Sequence, residues 1–258
     1  MTRAQSSSEL PSDLGALKAD WEVLASMDPL WAILTDPTKK GGGWSLEDFF
    51  HTGHLEVAQV MRWADQRQLP QGREALLDFG CGIGRLTRAF SPHFAQCVGL
   101  DISEGMIREA CRHNGHLQNC RFLTNNHPDL RKFPSDSFDM IYTNIVLQHL
   151  PSRAAIAQYV RDFVRVLRPH GLLVFQLPSS IPWTRRLMLR RRLYRLLKWL
   201  GVSDKSLHFQ NNLTTIRMIS FPTRQVAGLL STAGGTLLDV SRVKTEASES
   251  ATYYVTKR

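Results

Sequence analysis

The chain has 258 residues, 43% of them hydrophobic and 21% charged, with a formal net charge of +9. That balance supports one full α/β core and excludes a disordered chain. No apolar stretch approaches the roughly 20 residues of a bilayer span, and Cys81, Cys97, Cys111 and Cys120 form no CxxC pair of the zinc or redox kind. The polar start "MTRAQSSSELPSDLG" lacks the apolar core of a secretory signal, so a reduced, cytoplasmic protein is expected.

In chain order, residues 1–12 read as a disordered tail. Residues 13–34 read as helical, with Trp21, Leu24, Leu30 and Trp31 as apolar positions and Asp28-Pro29 as an interruption. "TDPTKKGGGW" is a loop on its turn chemistry. A long helix follows from Ser45, where Ser45 and Asp48 fit a capping box and Leu46, Phe49, Phe50, Val57, Val60 and Met61 supply most of an apolar face. Residues 13–66 thus form an N-terminal helical lid, with Trp31, Trp44, Phe49 and Phe50 offering contacts to a ligand or to the core.

Residues 67–258 read as the main domain. Strands and helices alternate: "ALLDF", a glycine loop and a helix from Arg85, "CVGLDI", "SEGMIREACRHN", "CRFLTN", "FDMIYT", "RAAIAQYVRDFVRVL" and "GLLVFQLP". The helix "TRQVAGLLSTAG" and the strands "TLLDVSRV" and "ATYYVTKR" close the chain. Such alternation predicts a mainly parallel sheet with helices on both faces. Residues 179–221 form a helical insertion after the fifth strand.

The loop Asp78-Phe79-Gly80-Cys81-Gly82-Ile83-Gly84 spaces its glycines GxGxG. Dinucleotide enzymes prefer GxGxxG, and a Walker loop needs GK[ST], which is missing. Asp78 suits an ammonium group, directly or through water, and is poor company for a pyrophosphate; the alternative is a solvated turn acid. Asp101 ends the second strand, where a carboxylate accepts from both ribose hydroxyls, unless it merely caps the next helix.

These residues resemble the class I S-adenosylmethionine-dependent methyltransferases. The resemblance runs from about Ala75 to Pro178 and over 222–258, and rests on "LLDFGCGIG", "VGLDIS", "SFDMIYTNIVLQHLP" and "VRVLRPHGLLVFQLP". It implies a doubly wound, Rossmann-like, seven-stranded sheet with the last strand antiparallel. The implied cofactor is S-adenosyl-L-methionine, held by Asp78, Gly80, Cys81, Gly82, Gly84, Asp101, Ile102, Met106 and Asn144. Where the family often has an adenine-binding acid, this chain has "FLTNNHPDL", so Asn125 or Asn126 takes that place through an amide oxygen. Met106 lies over the adenine or in the core.

His149, in the loop after the fourth strand, is the candidate base for a hydroxyl acceptor; alternatively Gln148 and His149 line the cofactor pocket. The pairs His51/His54 and His113/His116 lack accompanying acids, so no metal site is expected. The acceptor is expected to be small or lipid-like, methylated at oxygen.

Residues 185–198 hold six arginines and one lysine with no acid, so most of the net charge is local. Leu189, Leu193, Leu196, Leu197 and Leu200 share one face of the helix, about 24 Å long, expected over 185–200. That pattern suits an anionic membrane surface, or a helix packed on its own domain. An RNA acceptor is the second-ranked alternative, since no RNA-binding module accompanies the basic run. Binding of the cofactor without catalysis is the third.

Overall fold

The computed structural model describes residues 10–181, 189–203, 206–207, 218–245 and 248–258. The basic residues Arg185 and Arg186 and the first nine residues lie outside them.

Two helices open the described chain, α1 (Ser12–Met27) and α2 (Pro29–Ile33), and the long α3 (Leu46–Asp65) follows. Asp28 stops α1 and starts α2: its Oδ1 accepts the Trp31 N–H at 3.2 Å, with Pro29 at the first helical position. Its Oδ2 accepts from Gly41 and Gly42, pinning the glycine-rich loop. Ser45 caps α3 by accepting the Asp48 N–H at 3.0 Å.

The sheet contains β1 (Ala75–Phe79), β2 (Gln96–Asp101), β3 (Cys120–Thr124), β4 (Phe138–Thr143), β5 (Leu167–Ser180), β6 (Gly235–Thr245) and β7 (Ser248–Lys257). Their spatial order is β3-β2-β1-β4-β5-β7-β6, with β1 to β5 paired in parallel and β7 antiparallel to both neighbours. This is the seven-stranded, doubly wound architecture expected from the sequence. The helices between strands are α4 (Arg85–Phe90), α5 (Glu104–Asn114), α6 (Arg153–Val166), α7 (Leu189–Trp199) and α8 (Thr223–Thr232).

Strand parity divides the core. Leu76, Met140, Tyr142 and Val174 pack against Val57 and Met61 of α3 and Leu86 and Phe90 of α4. Leu77, Phe79, Ile141 and Phe175 point the other way, toward Val160 and Phe163 of α6 and Leu230 of α8. A third cluster joins Leu24, Ala25 and Ala32 to Phe49, Phe50, Ile83 and Met106. Phe49 and Phe50 are therefore core residues. The indoles of Trp31 and Trp44 donate to the carbonyls of Asp36 and Leu34, holding the segment between α2 and α3.

The leucines of α7 do not act as one buried face. Leu197 packs with Tyr194, Val202 and Leu207, whereas Leu193, Leu196 and Leu200 are exposed. Among the described residues no helix is long and apolar enough to cross a membrane.

Candidate functional site

Strand order reverses at β1, which pairs with β2 on one side and β4 on the other. Open α/β sheets form their ligand crevice at such a point, beyond the carboxyl ends of the strands. A cavity lies there with about 990 Å³ of free space, part of it continuous with solvent. Nine residues expected from the sequence line it together: Gly80, Cys81, Gly82, Asp101, Ile102, Met106, Asn125, Asn144 and His149. Asp78, Gly84 and Asn126 do not.

The glycine loop is tied to β2 by Gly80 and Cys81, whose N–H groups donate to the Leu100 carbonyl at 2.7 and 3.1 Å. Gly80 and Gly82 both have positive φ, +76° and +54°. A Cβ on Gly80 would lie 2.3 Å from Val146, and one on Gly82 would lie 2.5 Å from Ile33. Only glycine meets both the conformation and the close approach.

Asp101 sits at the mouth of β2. Its Oδ2 accepts from Gly82 and its Oδ1 from Ser103, both at 2.9 Å. A carboxylate offers about four lone-pair sites, so acceptor capacity remains on a residue that faces the cavity. Burial raises its pKa, and the backbone N–H bonds of Ser103 and Gly82 counter that. It therefore braces the loop as well as facing the cavity; the helix cap itself is Ser103, which accepts from Met106.

Asp78 departs from the expectation. It is neither a solvated turn acid nor a wall of the cavity, being 1% exposed with Oδ2 accepting the Thr87 hydroxyl at 2.6 Å. The cause is strand parity: Asp78 shares the Leu76 face, under α4, while Phe79 faces the cavity. Burial pushes its pKa up to about 7, against the opposing hydrogen bond from Thr87. Gly84 starts α4, where its absent side chain leaves room for Asn114 and Phe122.

Of the two asparagines after β3, only Asn125 reaches the cavity. Its Nδ2 donates to the His127 carbonyl at 3.0 Å and the Tyr159 hydroxyl at 3.2 Å. Its Oδ1 is buried and has no partner in the protein. A buried acceptor left unsatisfied costs about 1–3 kcal/mol, so this oxygen marks where a ligand N–H fits. Asn126 instead accepts from Lys18 at 3.2 Å. Met106 lines the cavity and also belongs to the cluster that joins α1, α2 and α3.

Several residues at the site carry no local sequence signal. Arg85 lines the cavity and pairs with Glu56 of α3 at 2.7 Å. The same carboxylate accepts from the Tyr142 hydroxyl at 2.8 Å and Asn144 Nδ2 at 2.7 Å. Arg85 Nε is buried without a partner. Burial and the adjacent Glu56 carboxylate hold the Tyr142 hydroxyl well above its ordinary pKa. Tyr159 lines the cavity beside Asn125, and its ring packs 4.8 Å from Phe79.

His149 is buried at the cavity wall, its ring edge-on to Trp21 of α1 at 5.8 Å. Gln148 Nε2 lies 3.2 Å from His149 Nε2. With the amide donating, Nε2 is an acceptor and the ring proton sits on Nδ1. Trp21, Leu14 and Leu17 of α1 and Ile33 of α2 form the apolar side of the cavity. Two polar contacts hold α1 in place: Glu22 accepts from the N–H groups of Glu104 and Gly105, and Lys18 pairs with Glu104 at 2.6 Å. Among the described residues no cluster of His, Cys, Asp or Glu could hold a metal.

A family model described as a methyltransferase domain matches residues 77–175, which span the glycine loop, Asp101, Asn125 and His149. Over that stretch the chain resembles the class I S-adenosylmethionine-dependent methyltransferases. It is 31% identical over 178 residues to 24-methylenesterol C-methyltransferase 2 of Oryza sativa subsp. japonica, covering 64% of this chain and 47% of that one. It is 29% identical over 148 residues to the trans-aconitate 2-methyltransferase of Methylobacterium nodulans, covering 53% and 54%. The chain thus spans about half the length of these curated relatives. Its fold is similar to that of the magnesium protoporphyrin IX methyltransferase of Synechocystis with bound SAH, with a TM-score of 0.63, 19% identity and coverage of 96% and 100%. In this chain the cavity, the glycine loop and Asp101 lie where the sheet topology alone directs a ligand.

Proposed function

We propose that this chain transfers a methyl group from S-adenosyl-L-methionine to a hydroxyl of a small or lipid-like acceptor. The observation that carries the reading is the unpartnered, buried Oδ1 of Asn125 in a cavity that also holds Asp101 and the glycine loop. When bound, the cofactor supplies a methyl group made electrophilic by its sulfonium. Asn125 Oδ1 accepts from the adenine amino group, and Asp101 accepts from the ribose hydroxyls. Gly80 and Gly82 let the backbone approach, and Arg85 Nε offers a donor to the methionyl carboxylate. Asp78 acts beneath the loop, through Thr87.

Residues 13–66 serve as the lid: α1 and α2 place apolar side chains on the cavity and keep water from the reacting groups. His149 takes the acceptor's hydroxyl proton on its imidazole, with the Gln148 amide turning away to release Nε2 as it does so. Relatives named for 2-methyl-6-phytyl-1,4-hydroquinone, 24-methylenesterol and trans-aconitate support an acceptor of this size class.

Calorimetric titration with S-adenosylhomocysteine and, separately, NAD⁺ tests the cofactor. Binding of the former, weakened roughly 10- to 100-fold by Asn125→Leu, is expected from the loss of one to two hydrogen bonds. Preference for NAD⁺, or an Asn125→Leu variant that binds normally, would overturn the reading. For the base, His149→Gln should lower kcat and remove the acidic limb of its pH profile while leaving S-adenosylhomocysteine affinity unchanged.

A further inference from the structure

The helix α7 ends in a patch of apolar side chains that stand exposed among the described residues. Leu193, Leu196 and Leu200 follow one another at helical spacing and are 46%, 53% and 61% exposed. Trp199, one turn beyond Leu196, is 82% exposed. Tyr194, buried, and Leu197, partly buried, pack with Val202 and Leu207, and fix which side of the helix faces outward. Arg192 and Lys198 are exposed on the same helix, within a stretch that carries six arginines and one lysine over residues 185–198 and no acid.

The place of this helix in the chain bears on the active site. The segment that carries it leaves the domain after β5 and returns at Met218–Phe221. There the Phe221 N–H donates to the Pro178 carbonyl at 2.8 Å and the Ile219 N–H donates to the Gln148 carbonyl at 2.8 Å. Arg153 Nε donates to the Ser220 carbonyl at 3.0 Å. The returning stem is thus fastened to Gln148, next to His149 of the cavity wall, and to the end of β5.

We infer that α7 docks this chain on an anionic lipid surface, with Leu193, Leu196, Trp199 and Leu200 entering the headgroup region and the basic side chains meeting the lipid charge. This rests on the methyl-transfer reading in one respect: it makes the acceptor one that is held in or at that surface and delivered beside His149. A basic helix that gripped nucleic acid would need its arginines, and could stack a base on Trp199, but has no use for three outward leucines. Interfacial helices combine those two features, and tryptophan is enriched at the membrane–water boundary. Each cation near an anionic leaflet adds about 1 kcal/mol, equivalent to roughly fivefold in partitioning.

Co-sedimentation of the full chain with vesicles decides the matter, using phosphatidylcholine alone and phosphatidylcholine mixed with phosphatidylglycerol, in low and high salt. S-adenosylhomocysteine binding is measured on every variant as a check that the fold is intact. The expected result is partitioning to the anionic vesicles only, weakened by salt. Leu196→Gln combined with Trp199→Gln, which leaves the charge unchanged, should weaken it by at least about tenfold, and Arg192→Gln by roughly fivefold. No partitioning by a chain that binds S-adenosylhomocysteine overturns the lipid surface and leaves the cofactor reading standing. Partitioning that ignores the Leu196/Trp199 change, follows Arg192→Gln alone and is competed by transfer RNA also overturns it, in favour of a nucleic-acid surface. Vesicle binding by a chain that does not bind S-adenosylhomocysteine upholds the surface and removes the inference about the acceptor.

Discussion

The Glu22 carboxylate of α1 accepts the backbone N–H of Glu104, at the start of α5, at 2.6 Å. Its second oxygen takes the Gly105 N–H at 3.0 Å, so one side chain from the N-terminal helix satisfies two of the free donors of α5. Ser103 satisfies another from within the loop. The contact holds Leu14, Leu17 and Trp21 against the cavity beside Asp101. Glu22→Ala should therefore loosen α1 by about 1 kcal/mol, the usual value of a partly exposed helix-end anion. Hydrogen exchange over residues 14–25 should quicken about fivefold while the central strands keep their protection, and S-adenosylhomocysteine should bind more weakly. Unchanged exchange in α1 would show that its apolar packing alone holds it.

Asp78 sets a pH dependence of stability whose sign follows from its burial. Its pKa is raised from 3.8 to about 7, so the folded chain binds this proton more tightly than the unfolded one. The carboxylate opposes folding most strongly above about pH 7, and that penalty fades as pH falls through 7 toward the unfolded value near 4. Asp78→Asn keeps an acceptor for the Thr87 hydroxyl but cannot titrate. Denaturant titrations between about pH 5 and pH 8 should show this contribution in the wild type and its loss in the variant. Equal pH slopes would mean that Asp78 remains ionised throughout.

What the sequence discloses here is what is local. The buried parallel strands read as short apolar runs, and Ser45 announced a helix start that the structure confirms, whereas the cap offered to Asp101 is made by Ser103. The glycine loop and Asp101 were legible because both lie within a few residues of strand ends. Asp78 was misplaced although its parity with Leu76 was available in "ALLDF"; the direct-ligand reading weighed its charge and not the alternation of the strand. Asn125 could not be separated from Asn126, because a change of one residue after β3 turns the side chain from the cavity toward Lys18. Glu22, Glu56 and Arg85 were missed for a different reason. Their partners lie 82 and 29 residues away along the chain, and a single charged residue on an amphipathic helix reads as solvated.

The pair of Glu56 and Arg85 joins the long helix α3 to the start of α4 at the cavity. Arg85 is nearly inaccessible and Glu56 is 22% exposed at the side chain. Removing one member of a buried pair leaves the other charge uncompensated, at about 3–5 kcal/mol. Glu56→Ala also strips acceptors from Tyr142 and Asn144. A loss of about 3 kcal/mol should lower Tm by roughly 6–12 °C for a chain of this size. Glu56→Met with Arg85→Met should recover much of that stability, because neither charge is then buried alone, yet S-adenosylhomocysteine binding should stay weak. Recovery of both by the double variant would remove Arg85 from the ligand-binding set.

Gly80 combines two separable constraints, positive φ and the neighbouring Val146. An alanine there meets a left-handed conformation that costs an L-residue roughly 1–2 kcal/mol, and its methyl group would sit 2.3 Å from Val146. Val146 belongs to the loop between β4 and the turn that carries His149, so the clash pushes on the proposed base as well as on the glycine loop. Gly80→Ala should destabilise the chain and weaken S-adenosylhomocysteine binding together. Adding Val146→Ala removes the steric part only: stability should recover in part, while the backbone strain of about 1–2 kcal/mol persists. Full recovery in the double variant would show that residue 80 needs space and not a glycine backbone. No recovery would place the whole effect in φ, and thermal melts of the two single variants and the double variant separate the cases.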